Sequence, residues 1–134
     1  MTGLDLDHVA IAVPSLGEAI ALHESLSGLT ATAPETLPVQ GVQVAFVGSL
    51  ELLEPTSSST PVGRFLSRRG PGLHHIAYRT DGLERELERL TAQGFQPIDR
   101  TPRPGARGHR ASFLHPRTAG GVLIELVERR TTPA

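Results

Sequence analysis

A chain of 134 residues with 13 basic and 14 acidic side chains has a formal net charge of −1, which gives no general attraction to nucleic acid. It contains no cysteine, which excludes a disulfide framework, a thiolate zinc site and a thiol nucleophile and suits a reducing cytoplasm. No N-terminal run joins basic residues to a long apolar stretch, so neither a signal peptide nor a membrane span is expected, and the length fits a single domain, residues 1–134.

Residues 4–13 are mostly apolar and stop at Pro14, which predicts a buried strand. Ser15 is placed to cap a helix whose Leu16, Ala19, Ile20 and His23 fall at helical spacing, and Gly28 ends it. Residues 31–41 read as a loop or irregular strand. Val42 to Val47 is a strand, Gly48-Ser49 a tight turn, and Leu50 to Glu54 its partner. A polar linker follows, then a short helix from Pro61 to Arg69 with Val62, Phe65 and Leu66 inward.

The second half starts after Gly70-Pro71-Gly72. Residues 73–80 predict a strand. Asp81 is placed to cap a helix reaching about Gln93, with Leu83, Leu87 and Leu90 on one face. Phe95 to Asp99 reads as the start of a strand and residues 101–109 as a loop. Ala111–Leu114 and Val122–Glu128 read as the last hairpin pair, and residues 129–134 as frayed.

The two halves repeat. Leu6-Asp7-His8-Val9-Ala10 returns as Leu73-His74-His75-Ile76-Ala77. His8 and His75, Leu16 and Leu83, and Ile20 and Leu87 are each 67 positions apart. Glu51 and Glu125 are 74 apart, so the second copy carries a longer loop. A register kept over strand, cap and helix signals duplication. Module one spans about residues 4–55, a linker and short helix 56–71, and module two about 72–128. Each reads as strand, helix, then three strands, giving an α+β fold.

A lone histidine or glutamate in a strand is ordinarily structural. Four that match pairwise across a repeat point to chemistry. Each glutamate sits inside an apolar strand, and a carboxylate facing a core is costly unless a cation compensates it. Two imidazoles and two carboxylates suit cobalt, nickel, manganese, iron or zinc better than calcium, which prefers an all-oxygen cage. Of the other histidines, His74 points to the opposite face, His23 packs on a helix, His109 lies in a loop, and His115 follows a strand, where it shapes a turn or, as the second reading, touches ligand. All basic residues are arginine, a composition that fits codon bias. Locally, Arg64, Arg68 and Arg69, and Arg100, Arg103, Arg107, Arg110 and Arg117, form two clusters suited to phosphate or carboxylate.

Several blocks together resemble the vicinal oxygen chelate (glyoxalase/dioxygenase) superfamily. They are Leu6–Pro14, Gln40-Gly41-Val42, Glu51–Pro55, Phe65-Leu66, Gly72–Ala77, Phe113–Pro116 and Gly120–Val127. The Gly-Leu-His-His-Ile and Gly-Val-Leu-Ile-Glu-Leu blocks are most similar to the methylmalonyl-CoA epimerase family. The resemblance implies two βαβββ modules forming a curved eight-stranded mixed sheet of the glyoxalase/bleomycin-resistance kind. It implies His8, Glu51, His75 and Glu125 as ligands of a divalent metal, cobalt first, with nickel, manganese, zinc or iron as alternatives. It further implies epimerisation of (2R)- and (2S)-methylmalonyl-CoA by α-proton abstraction through a metal-stabilised enolate, with Glu125 as one proton-transfer group. An acyl-CoA substrate, coenzyme A phosphates on the arginines, a homodimer and a cytoplasmic location complete the expectation. The family often carries a glutamate just before the Gln-Gly-Val block or two residues beyond it; this chain has Val39 and Val44 there. That departure keeps two other readings open: a glyoxalase-like isomerase on another substrate, and a non-catalytic small-molecule binding protein.

Overall fold

The computed structural model describes residues 3–99 and 101–129. Along the chain run β1 (Asp5–Ala12), α1 (Leu16–Ser27), β2 (Glu35–Leu37), β3 (Val42–Val47), β4 (Leu50–Pro55) and α2 (Pro61–Arg69). They are followed by β5 (Gly72–Thr80), α3 (Leu83–Ala92), β6 (Arg103–Pro104), β7 (Arg110–Leu114) and β8 (Leu123–Glu128). Two compact units result: one runs from His8 to His74, the other takes the described residues up to Asp7 and from His75 onward. Each is built on the βαβββ plan expected from the repeat, and the fold is α+β with eight strands of mixed direction.

In the His8–His74 unit the strands are ordered β2-β3-β4-β1. β1 and β4 pair in parallel, and β3 is antiparallel to both of its neighbours. Ser15 caps α1 by accepting from the Glu18 amide, and Gly28 ends it in the left-handed region, as expected. Leu16 and Ala19 of α1 pack on Val13, Ala45, Val47 and Leu52, with Ile11, Ile20, Ala31 and Leu50 at the margin. In this core the alternating side chains of three strands turn one face to the helix and leave the other for chemistry. The Gly48-Ser49 turn is tight. Gly48 has φ +59°, the left-handed conformation for which the hairpin turn favours glycine.

The other unit orders its strands β5-β8-β7-β6, with β5 and β8 parallel and β7 antiparallel to its neighbours. Leu83, Leu90, Leu114 and Leu126 form its core, flanked by Leu4, Tyr78, Leu87, Phe95 and Ile124. The extra length lies between β7 and β8, where residues 115–122 replace a two-residue turn and include a short 3-10 turn at Pro116–Thr118.

Two local expectations fail in this unit. Asp81 does not cap α3: the cap is Gly82, which supplies no side-chain bond. A capping side chain serves its helix from the cap position itself, and Asp81 stands one residue early. Its place is taken over a long range, as Glu128 Oε2 accepts from the Leu83 amide at 3.0 Å. The strand expected at 95–99 shrinks to one bridge, Pro97 to Leu114. The bridge is closed by the Ile98 amide donating to the Phe113 carbonyl and the His115 amide donating to the Gln96 carbonyl, and the outer strand forms instead at Arg103–Pro104, inside the stretch read as a loop. Of the stretch 129–134 read as frayed, Arg129 is held by Asp7, and residues 130–134, like Arg100 of the second arginine cluster, lie outside the described residues.

Candidate functional site

Each unit carries the same construction on the sheet face turned away from its helix. In the first, β1 presents His8, Ala10 and Ala12 to this face, and Ala10 stands opposite Glu51 of β4. His8 Nε2 lies 3.2 Å from Glu51 Oε1, with the side chains 5% and 6% exposed. In the second, Ala77 of β5 stands opposite Glu125 of β8. His75 Nε2 lies 3.1 Å from Glu125 Oε1, with the side chains 3% and 8% exposed. The structure thus pairs the four sequence candidates two by two, each pair buried.

A third residue completes each construction. Phe46 of β3 stands opposite Glu51, and its ring meets His8 edge-to-face, centroids 5.5 Å apart and planes at 88°. Phe113 of β7 stands opposite Glu125 and meets His75 in the same way, at 5.4 Å and 89°. These phenylalanines hold the imidazole planes and exclude water from them. Sequence reading missed both, although the signal was present: Phe46 and Phe113 are 67 positions apart, the offset of the two histidines.

The second missed feature is also duplicated. Glu54 follows Glu51 by three residues, so it points to the opposite, helix-bearing face, where its Oε1 accepts from the Leu16 amide at 2.7 Å. Glu128 stands likewise to Glu125 and serves Leu83. The last strand of each module therefore carries two glutamates with separate duties: one joins the buried pair and one anchors the helix start, where an amide without an intrahelical partner meets a carboxylate favourably.

The donor set fits a divalent cation. Two donors bound about 2.1 Å from one ion stand about 3.0–3.4 Å apart in octahedral or tetrahedral geometry, and each histidine–glutamate pair shows that separation. Two imidazoles and two carboxylates, all buried, are the donors of an intermediate-hardness metal.

Other candidates take structural places. His74 packs edge-on against Phe65 at 5.0 Å, and His115 Nδ1 accepts from the Arg117 amide, shaping the turn after β7. Among the arginines, Arg110 grips Glu84 and Glu128, while Arg64, Arg68 and Arg69 are exposed. Arg103 pairs with Asp99 and lies over the Phe113 ring at 5.8 Å, which brings one cation beside the His75–Glu125 pair. Val39 is 70% exposed and Val44 1%. No helix among the described residues is long and apolar enough to cross a membrane.

The model of the Glyoxalase/Bleomycin resistance protein/Dioxygenase superfamily matches residues 7–113. The chain is 46% identical over 127 residues to the uncharacterized protein YqjC of Bacillus subtilis, covering 92% of this chain and 91% of that one. It is 36% identical over 127 residues to an ethylmalonyl-CoA/methylmalonyl-CoA epimerase of Cereibacter sphaeroides, covering 90% and 95%. A methylmalonyl-CoA epimerase solved in complex with methylmalonyl-CoA and NH4+ superposes with a TM-score of 0.91 at 31% identity, covering 97% of each chain. With the paired histidines and glutamates in place and these likenesses spanning nearly the whole length, the chain belongs to the Glyoxalase/Bleomycin resistance protein/Dioxygenase superfamily and is a methylmalonyl-CoA epimerase-like enzyme.

Proposed function

We propose that residues 1–134 act as one vicinal oxygen chelate domain that interconverts (2R)- and (2S)-methylmalonyl-CoA. The observation that carries this reading is the duplicated, buried histidine–glutamate pair. Its spacing suits shared metal ligands and its burial suits chemistry away from bulk water. His8, Glu51, His75 and Glu125 together would hold the ion, cobalt first among nickel, manganese, zinc and iron. Bound there, it would supply positive charge to the oxygen that becomes negative when the α-proton leaves. Phe46 and Phe113 fix the imidazole planes, and their rings keep water from the ligands. Glu125 is assigned one of the two proton transfers at the α-carbon. Arg103 and the exposed Arg107 are assigned to the coenzyme A phosphates, as planar forks matched to that group. The cysteine-free composition favours a cytoplasmic location, and we propose a homodimer on the strength of the family resemblance.

Two measurements test this. The first is uptake of deuterium at the α-carbon of each methylmalonyl-CoA epimer, in deuterated buffer with cobalt supplied. Exchange with formation of the other epimer is expected; neither exchange nor epimer formation sinks the reading. The second is charge reversal of Arg103 and Arg107, expected to weaken acyl-CoA binding; unchanged affinity removes those residues from the phosphate site. One observation favours a second reading, binding without turnover: valines stand at positions 39 and 44, the two places where the family often carries a glutamate. Tight acyl-CoA binding with no α-proton exchange would establish it.

A further inference from the structure

Inverting a carbon centre by proton transfer is best served by two groups, one on each face. Neither Val39 nor Val44 can be the second: both side chains are aliphatic, Val39 70% exposed in the turn that follows β2 and Val44 1% exposed in β3.

The register of the His8–His74 unit points elsewhere. Glu35 of β2 stands opposite Val44 of β3, and Val44 stands opposite Leu53 of β4. Phe46 stands opposite Glu51 in the same ladder. Residues two apart on a strand share a face, so Glu35, Val44 and Leu53 form one row beside that of Phe46 and Glu51. Glu35 therefore lies on the face that carries the His8–Glu51 pair. Its neighbour Thr36, opposite Gln43, lies on the other.

The ground between is apolar. Val44 is 1% exposed, Leu53 3% and Ala12, opposite Leu53, 0%. Glu35 stands about 10 Å across the sheet and about 7 Å along it from Glu51. That separation sets a carboxylate at the margin of a dry, apolar row that leads to the His8–Glu51 pair. Glu54 is directed to the helix face, bonded to the Leu16 amide. The Glu24 side chain reaches from α1 to accept from the Ala31 amide. Of the unit's strand carboxylates, Glu35 and Glu51 are thus the two on the site face. Glu35 is half-buried, which leaves it a route to water.

We propose that Glu35 is the second proton-transfer group, acting on the α-carbon face opposite the one served by Glu125. This rests on the epimerase reading. One carboxylate takes the α-proton, breaking the C–H bond and leaving its electron pair delocalised onto the thioester oxygen. The other carboxyl, protonated, returns a proton to the opposite face as the C–H bond re-forms. Nothing is oxidised or reduced, and exchange with water restores both groups between turnovers.

The test compares wild type and Glu35→Gln, both loaded with cobalt, starting from each epimer separately in deuterated buffer. Metal content and thermal midpoint should match wild type. Epimerisation should fall about 10²–10⁴-fold. Deuterium should still enter one epimer, with its configuration retained, because Glu125 still exchanges the proton on its own side. Such one-sided exchange is something that a merely structural residue would not produce. Epimerisation by Glu35→Gln at the wild-type rate overturns the assignment. So does equal loss of exchange from both epimers, since that gives Glu35 a general role in the fold or in binding. If wild type exchanges neither epimer, the epimerase reading itself has failed, and that control separates the two failures.

Discussion

The His8–His74 unit and the unit beginning at His75 keep one sheet face nearly the same and let the other drift. On the site face each has a histidine, a glutamate 3.1–3.2 Å away and a phenylalanine edge-on to the imidazole. On the helix face the first helix has a serine cap and a glycine end, whereas the second begins on Gly82 without a side-chain cap. The outer strand has moved as well. Glu35–Leu37 pairs over three residues, Arg103–Pro104 over two. Duplication thus preserved what a shared ion would require of both halves, and relaxed what each helix can satisfy by other means. The margins of the site face also differ. In the first unit Glu35 flanks the pair, and in the second Arg103 lies over Phe113. The core of the face is repeated, and its edges are where a directional reaction can be built.

The largest test of that contrast sets Glu125→Gln against Glu51→Gln. Both should weaken metal retention, measured by elemental analysis of the purified protein. Only Glu125→Gln should also lower kcat about 10²–10⁴-fold at saturating metal; equal losses would return the two glutamates to a single role. Next come the phenylalanines. Phe46→Ala and Phe113→Ala should each cost about 3–5 kcal/mol in denaturant unfolding, since both rings are buried, and a large difference between them would break the symmetry. Smaller effects should follow at the helix starts. Glu128→Ala should cost about 1 kcal/mol and Glu54→Ala less, because Ser15 still caps the first helix while Gly82 offers the second nothing. Equal costs would mean that the local cap contributes little.

The smallest effect belongs to the exposed Glu84–Arg110 pair of the second unit. The Arg110 guanidinium, bonded to both carboxylate oxygens, lowers the Glu84 carboxyl to about 2 from 4.5. A depressed carboxyl favours the folded state above its ordinary value, and that contribution is lost as pH falls from about 4.5 towards 2. Glu84→Gln should therefore flatten the acid limb of the stability profile slightly, the more so at low salt. An unchanged profile would show that solvent already screens the pair.

Much of the design was legible because it was written twice. A single histidine in a strand carries little information, but His8 and His75 at the offset of Leu16 and Leu83 locate both a strand register and a helix start. Glu51 and Glu125 followed from the same logic. Phe46 and Phe113 obeyed that offset too and went unread, because an apolar residue in a strand looks like ordinary core until its neighbour across the ladder is known. Glu54 and Glu128 were hidden for a related reason: their bonds reach Leu16 and Leu83 across 38 and 45 residues of chain. The expected Asp81 cap failed against one of those long bonds, and of the strand expected at 95–99 only the bridge from Pro97 to Leu114 formed.

By itself, the sequence determined the module plan, the first helix with both its ends, the tight Gly48-Ser49 turn and the two histidine–glutamate matches that the structure buries. All of these are set by periodicity, local backbone preference or repetition, which act within a few residues or recur at a fixed interval. Tertiary structure alone decided which strands became neighbours, and with that which side chains share a face. It put Phe46 against His8 and Glu54 under the first helix. It also set Glu35, in a stretch read as a loop or irregular strand, on a strand opposite Val44. Such placements depend on pairing between distant segments, where a shift of one residue turns every side chain to the other face.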